Sequence, residues 1–353
     1  MHIRKLRLTN FRILQEFSLE NAQQNNLICG PNGCGKTSIL EAIYLASTGK
    51  SFRNATYKHL IHHQKDSFQI YLEAQTGVDS QLFIGVHRDR KGVKQLRLNH
   101  DNCQRQAEIT HQFPVVAIDT DTYQFIDRSP QSKRSYMDWM VFHVKHQYLH
   151  LWSKASGCHK HLNAFYKKKY SGDELQVWED KFAYYAEKIQ AYRQHAFELL
   201  QEQLQKLIDL FFKDSLDITL KLDKGWRHDL SMQEQLQQDK KKNMEYGLVN
   251  NGPHKMNITI RESGQMATHI LSRGQKKILS VLFYLCSAEI IQQQTGFAPI
   301  LCLDDIGAEL DKENKHRLLK YLQDKPHQLF ITAVSEDEIK DYFENMQVFH
   351  VKH

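Results

Sequence analysis

Apolar and polar residues alternate in short runs through the first 110 positions, at Ile3–Leu8, Asn26–Cys29, Phe68–Glu73, Leu82–His87 and Gln95–Leu98. A period of two suits a strand with one covered face, so this stretch predicts sheet. The texture changes near Pro114. No proline occurs between Pro130 and Pro253, and Trp178, Phe182, Tyr185, Ile189, Tyr192, Ala196 and Leu199 recur at alternating steps of four and three. That spacing draws one stripe along a long helix and predicts the packing seam of a helical lobe. After Lys240–Lys242 strand and helix alternation returns. The expected fold class is α/β, with residues 1–112 as the first half of the α/β unit, 113–245 as an inserted, mainly helical lobe, and 246–353 as the second half.

Composition narrows the class. With 353 residues, 41% hydrophobic and 25% charged, the chain can bury a core in each of about two domains, which excludes wholesale disorder. The longest apolar stretch, 278–291, contains Ser280, Ser287 and Glu289 and is too short and polar to span a bilayer. The first residues lack the apolar run and cleavage site of a signal peptide, and the six cysteines form no CxxC pair, so a cytoplasmic protein with reduced thiols is expected. The net charge of +6 is unevenly placed. Eight basic residues and one acid fall between Gln131 and Tyr170, interleaved with Tyr136, Trp139, Phe142, Trp152 and Tyr166. Basic and aromatic residues together suit nucleic acid, and Lys133, Arg134, Lys167, Lys168 and Lys169 are the candidate DNA contacts. His143, His146, His150, Cys158, His159 and His161 crowd the same region, but no second paired set completes a tetrahedral zinc site.

The most specific chemistry begins at Gly30. A short apolar strand feeds Gly30-Pro31-Asn32-Gly33-Cys34-Gly35-Lys36-Thr37-Ser38, which satisfies G-x-x-x-x-G-K-[ST], and a helical pattern follows as far as Gly49. Glycines allow the turn conformations in which successive N–H groups converge on an anion at a helix N-terminus. Lys36 would reach the β and γ phosphates of a nucleotide, and Thr37 would ligand Mg²⁺. Alone, such a loop leaves kinases, GTPases and motor ATPases open. The second half adds an apolar strand ending in Asp304 and Asp305, suited to hold Mg²⁺ through the first carboxylate and orient water through the second. Leu271-Ser272-Arg273-Gly274-Gln275 stands upstream at the start of an apolar helix; Ala308-Glu309-Leu310-Asp311 and a strand through Thr332 stand downstream.

This order resembles the ATP-binding cassette class: Walker A, an LSGGQ-like signature, Walker B, a D-loop and a switch strand. In that class Ser272, Gly274 and Gln275 would cap the γ-phosphate held by another protomer, so hydrolysis needs a homodimer. Within the class the whole chain resembles the RecF family, related to the heads of structural-maintenance-of-chromosomes (SMC) proteins. Leu8–Arg12, the loop above, Lys133-Arg134 with Asp138-Trp139, Gly252–Lys255, LSRGQ and Leu303–Asp305 carry the resemblance. It implies an SMC-like P-loop ATPase head, with Arg12, Asp311 and Thr332 joining the loop and signature as nucleotide contacts and with Asp305, Lys36 and Ser272 in catalytic roles. It also implies a weak, DNA-stimulated ATPase that dimerises with ATP on gapped or duplex DNA and assists RecO and RecR in loading RecA, in repair, replication restart and SOS induction. Asp305 stands where transporters carry Glu, and Thr332 where they carry His, which suggests slow hydrolysis. Gln64 is the one candidate for a Q-loop residue. The alternatives are a transporter nucleotide-binding subunit, disfavoured by the long insertion, and a small-molecule kinase, which has no use for the Ser272 signature.

Overall fold

The computed structural model describes residues 1–53, 55–77, 80–213 and 215–351. In chain order the strands are β1 (His2–Phe11), β2 (Leu14–Glu20), β3 (Asn25–Cys29), β4 (Ser67–Gln75), β5 (Gln81–Asp89), β6 (Lys94–Leu98) and β7 (Asp101–Cys103). They continue as β8 (Val115–Ile118), β9 (Ile218–Asp223), β10 (Asn257–Glu262), β11 (Gln265–Met266), β12 (Ile300–Leu303), β13 (Leu329–Ala333) and β14 (Met346–His350). The chain divides into two units, Met1–Gln124 with Ser272–His353, and Phe125–Leu271.

The first unit holds two sheets. One is antiparallel, in the order β2-β1-β4-β5-β6-β7. Its alternation is visible in β4, where Phe68, Ile70, Leu72 and Ala74 are buried, and in β5, where Leu82, Ile84 and Val86 are buried opposite them. The other is parallel, in the order β14-β3-β13-β12-β8. Here β8, β12 and β13 are buried at every residue, as strands covered on both faces must be. The helices Lys36–Thr48 and Arg273–Thr295 belong to this unit, and the apolar run 278–291 is the buried length of the second. No helix among the described residues is long and apolar enough to cross a membrane.

In the second unit the helices Pro130–Val144, Tyr148–Lys167 and Asp173–Phe212 pack with the small sheet β11-β10-β9. The 40-residue helix confirms the stripe with a one-residue rotation: its buried line is Leu175, Glu179, Phe182, Ala186, Ile189, Arg193, Ala196 and Leu200. Trp178, Tyr185, Tyr192 and Leu199 flank that line and are half-buried. Of the aromatic residues of the stripe, Phe182 stands on the axis, while Trp178, Tyr185 and Tyr192, each with a polar atom, cover the seam from its side. Two charges stand on the axis instead, and each is paired. Arg193 Nη2 lies 2.7 Å from Asp138 Oδ1, while Nε donates to Tyr148 Oη and Nη1 to the Pro253 carbonyl. A guanidinium buried this deeply is tolerable only with such saturation.

The boundaries differ from the expected 113–245. Residues 115–118 form β8, a member of the parallel sheet of the first unit, while 246–271 carry β10, which pairs with β9 of the second unit, and β11, which pairs with β10. The histidine run resolves into aromatic packing. His143 is buried against Trp139 and Phe142, His159 faces His254 at 4.4 Å, and His161 stacks on Trp178 at 4.1 Å.

Candidate nucleotide site

The parallel sheet delivers the site. β3, β13, β12 and β8 end on one edge, so the phosphate loop, Thr332, Asp304 and the turn after Ile118 issue from adjacent strands. Ligands of open α/β sheets bind at this carboxyl edge. The loop leaves β3 at Gly30 and enters its helix through Gly35, whose φ of +108° is left-handed territory that favours glycine. A Cβ there would approach Leu14 Cδ2 to 2.8 Å, and one on Gly30 would approach the Val351 carbonyl oxygen to 2.5 Å. At Gly30 the obstacle is backbone, so space closes the position to larger residues; at Gly35 it is side-chain carbon, and the φ is the stronger bar. Pro31, Asn32 and Gly33 form the exposed arm of the loop, Cys34 is buried beneath it, and Ser38 is buried in the first helical turn. Lys36 Nζ donates to the carbonyls of Gly30 at 2.7 Å and Pro31 at 3.0 Å, folding its ammonium back over the loop.

Thr37 and the acidic pair meet across the sheet edge. Thr37 Oγ1 donates to Asp304 Oδ1 at 3.0 Å, and Thr332 Oγ1 donates to the same oxygen at 2.8 Å. Thr332 Oγ1 in turn accepts the Asp305 N–H at 2.9 Å, so this one hydroxyl ties both acids to β13. Burial pushes the Asp304 carboxyl above the usual range, and the Thr332 and Thr37 hydroxyls oppose that rise. A hydroxyl and a carboxylate oxygen at this separation fit a shared Mg²⁺, an ion that takes few protein ligands and completes its octahedron with phosphate and water. Asp305 is exposed and sits at φ +51° at the start of the short helix Ile306–Glu309. Such backbone in a residue other than glycine concentrates at functional sites.

The remaining expected contacts divide. Ser272 caps the helix Arg273–Thr295 through a capping box: Ser272 Oγ accepts the Gln275 N–H at 3.2 Å, and Gln275 Oε1 accepts the Ser272 N–H at 2.8 Å. Ser272 and Gly274 are exposed at that N-terminus, where backbone donors and the helix dipole favour an anion. Asp311 is exposed and caps the helix Lys312–Gln323, accepting the Asn314 N–H at 2.9 Å, and this backbone bond is the main cause that lowers its pKa. Arg12 has a protein partner. Its guanidinium forms a two-pronged pair with the fully buried Glu41, at 2.9 and 2.7 Å, and so anchors the flank of the helix Lys36–Thr48. It is the next residues of that turn, Ile13 and Leu14, that press on Gly35. Gln64 lies in an exposed segment outside the sheets. Asp119 at the end of β8 escaped the sequence reading, although an apolar strand closing on a carboxylate is the same signal that marks Asp304.

The basic candidates also divide. Lys133 is 7% exposed on the inward side of its helix with Tyr136, Met137 and Met140, and burial lowers its pKa. Arg134 is half-buried and donates to the Met256 carbonyl at 2.8 Å. Neither offers an open cation. Lys167, Lys168 and Lys169 are exposed at the end of the helix Tyr148–Lys167.

The family described as RecF/RecN/SMC N terminal domain matches residues 2–353. A protein named DNA replication and repair protein RecF from Cellvibrio japonicus (strain Ueda107) is 31% identical over 359 residues, spanning 100% of this chain and 98% of its own length. Its namesake from Hahella chejuensis (strain KCTC 2396) is 31% identical over 366 residues, with the same two coverages of 100% and 98%. A solved structure described as the recombination mediator protein RecF-ATPrS in RecFOR pathway superposes with a TM-score of 0.86 at 24% identity, covering 99% of this chain and 96% of that one. The Smc head domain from Pyrococcus furiosus follows with a TM-score of 0.57 at 16% identity, over 99% of this chain and 94% of that one. The two structures establish an ABC-type, SMC-like head as the fold, and the full-length matches in sequence establish kinship: the chain belongs to the RecF/RecN/SMC N-terminal-domain family, among its RecF proteins.

Proposed function

We propose that this protein is an ATP-switched, DNA-binding recombination mediator of the cytoplasm, which dimerises with ATP and Mg²⁺ on gapped or duplex DNA. The observation that carries the reading is the convergence of the phosphate loop, Thr37, Asp304 and Thr332 on one sheet edge, in a chain that also presents a capped, exposed signature helix. Lys36 and Ser272 would hold the γ-phosphate from two protomers, and Asp305 would orient water for slow, DNA-stimulated hydrolysis. The pathway named for the RecF relative supports RecO and RecR as partners and RecA loading at single-strand gaps as the outcome, in repair, replication restart and SOS induction. Sizing the purified protein with and without Mg²⁺–ATP, in the presence and absence of DNA, tests the switch. ATP-dependent dimers that retain DNA are expected; a monomer under all four conditions refutes it. In the same assay Ser272→Arg leaves ATP binding by each monomer intact and blocks dimerisation, because its bulk and charge enter the opposite protomer's phosphate site. Dimers of parental stability would remove the signature from the interface.

For DNA the surface at Lys167–Lys169 has the better support. A Cβ on Gly247 would lie 3.2 Å from the Lys167 Cα, so the end of the helix Lys240–Tyr246 abuts the first lysine run. Glu179 accepts the Tyr166 hydroxyl at 2.6 Å and lies 3.9 Å from Lys240 Nζ, which brings the start of the second run to the same end of the unit. Tyr246 and Tyr170, 59% and 38% exposed, stand among these lysines. With about four phosphate contacts, log affinity falls with log salt at a slope near −3.6. Replacing Lys167, Lys168 and Lys169 with Gln flattens that slope by about 0.9 per lost contact and weakens binding alike for all sequences, since phosphates carry no base information. Salt titrations on two unrelated duplexes measure both effects, and an unaltered slope would reduce the run to a solvated helix end.

A further inference from the structure

The helices Tyr148–Lys167 and Asp173–Phe212 lie side by side, and two contacts fix which faces meet. His161 stacks on Trp178 at 4.1 Å, and the Tyr192 hydroxyl donates to Gln147 Oε1 at 3.3 Å. Residues three and four apart share a helix face, so His161, Gly157, Lys154 and Gln147 form one row, and Trp178, Lys181, Tyr185, Lys188 and Tyr192 form the row beside it. Lysines stand among rings along this face. Lys181 Nζ lies 5.0 Å from the centre of the Trp178 ring, and Lys188 Nζ lies 5.7 Å from that of the exposed Tyr184. Lys154, His161, Lys181 and Lys188 are themselves exposed. No acid opposes them on the first helix, because the sequence holds neither Asp nor Glu between Asp138 and Asp173. On the second, the acids between Trp178 and Tyr192 are engaged elsewhere. Glu179 accepts the Tyr166 hydroxyl, Asp180 accepts from Gln233 Nε2 at 2.9 Å, and Glu187 accepts the Met232 N–H at 2.6 Å.

Gly157 is an observation independent of charge. It sits in the interior of its helix, where only proline is a worse choice than glycine. Yet a Cβ there would meet no described atom within 4 Å, so packing within the chain does not ask for glycine. What a missing side chain does allow is close approach of a ligand to the backbone. We infer that this face binds single-stranded DNA, with phosphates on Lys154, Lys181 and Lys188, bases stacked on the rings, and the strand seated over Gly157. The rings select a single strand, because the bases of a duplex are stacked on one another and present no open face to an aromatic side chain. The inference deepens the DNA reading above and rests on it. The first row runs on from His161 to Lys167 in about 9 Å of helix, so a strand leaving a duplex held at Lys167–Lys169 meets this face next.

Three labelled probes of equal length, a thymidine oligonucleotide, an abasic strand and a blunt duplex, test this on the full chain with Mg²⁺–ATP. The abasic strand has the phosphates without the bases, and the parent should bind it at least about 10-fold more weakly than the thymidine strand. Gly157→Leu should melt at or above the parental temperature, since leucine favours helix, and should bind the thymidine strand about 10-fold more weakly with duplex affinity unchanged. Replacing Lys154, Lys181 and Lys188 with Gln, three exposed positions, should flatten the salt slope for the thymidine strand by about 0.7 per lost contact. Equal affinity for the abasic and thymidine strands, or a parental slope in the triple variant, overturns the inference, and so does Gly157→Leu if it keeps parental single-strand affinity or loses duplex affinity in equal measure. A parent that binds the duplex but not the thymidine strand overturns it and leaves the DNA reading standing. A parent that binds neither overturns both.

Discussion

Lys36→Ala lowers ATP affinity by about 10²-fold, the largest loss expected from any single side chain of the loop. The ammonium is the one side-chain cation of the segment 30–38, and its present partners are two loop carbonyls, those of Gly30 and Pro31. Carbonyls hold an ammonium less strongly than phosphate oxygens do, because the second bond is assisted by charge on both sides. An exchange of these carbonyls for phosphate oxygens replaces weaker bonds with stronger ones, and each charge-assisted bond is worth about 1.5–3 kcal/mol. Alanine removes that gain. It leaves the glycine turns and the convergent N–H groups in place, so the variant folds, and the residual affinity measures what the backbone cradle contributes alone. Titration with ATP, followed by calorimetry or by the rise in melting temperature, gives the ratio. Equal affinity in parent and variant would show that this loop does not hold ATP.

How much of this was legible before any coordinates depended on whether the signal was local. Gly30–Ser38 declares itself because its chemistry needs nine consecutive residues between a strand and a helix, and the structure supplies both neighbours, β3 and Lys36–Thr48. Asp304 and Asp305 are legible for the same reason. Partnership across the chain is not local. The sequence pairs Arg12 with nothing, and its two-pronged bond to Glu41, 29 residues later, is visible only in the fold. Lys133 counts toward a basic window, but a charge sum does not record which side of a helix a residue faces, and this one faces Tyr136 and Met137. Four apolar residues at 115–118 are too few for periodicity to separate strand from buried helix, which moved the domain boundary and concealed Asp119. The seam of the helix Asp173–Phe212 shows the same limit in milder form: the period was right, and the axis lay one residue away because Glu179 and Arg193 occupy positions that hydropathy assigns to solvent.

Asp305→Asn separates the two acids by function. Asp304 is buried, accepts Thr37 and Thr332, and has the geometry of a metal ligand; Asp305 is exposed and makes its backbone bond to Thr332 while its side chain is presented outward. Asparagine tolerates left-handed backbone nearly as well as any residue with a side chain, so the φ of +51° is retained and the short helix Ile306–Glu309 keeps its start. Folding, the Thr332 link and the Mg²⁺ position should all survive. What goes is the negative charge to which the proposed function assigns the alignment of the attacking water, and on that proposal turnover should fall about 10²-fold or more with KM for ATP little altered. ATP would then persist at the site, and the dimer that it holds together should outlast the parental one in sizing experiments after excess nucleotide is removed. The two readouts must move together: slow turnover with a short-lived dimer would mean that the variant had lost ATP binding, whereas parental turnover would shift the water-orienting role from Asp305 to another group.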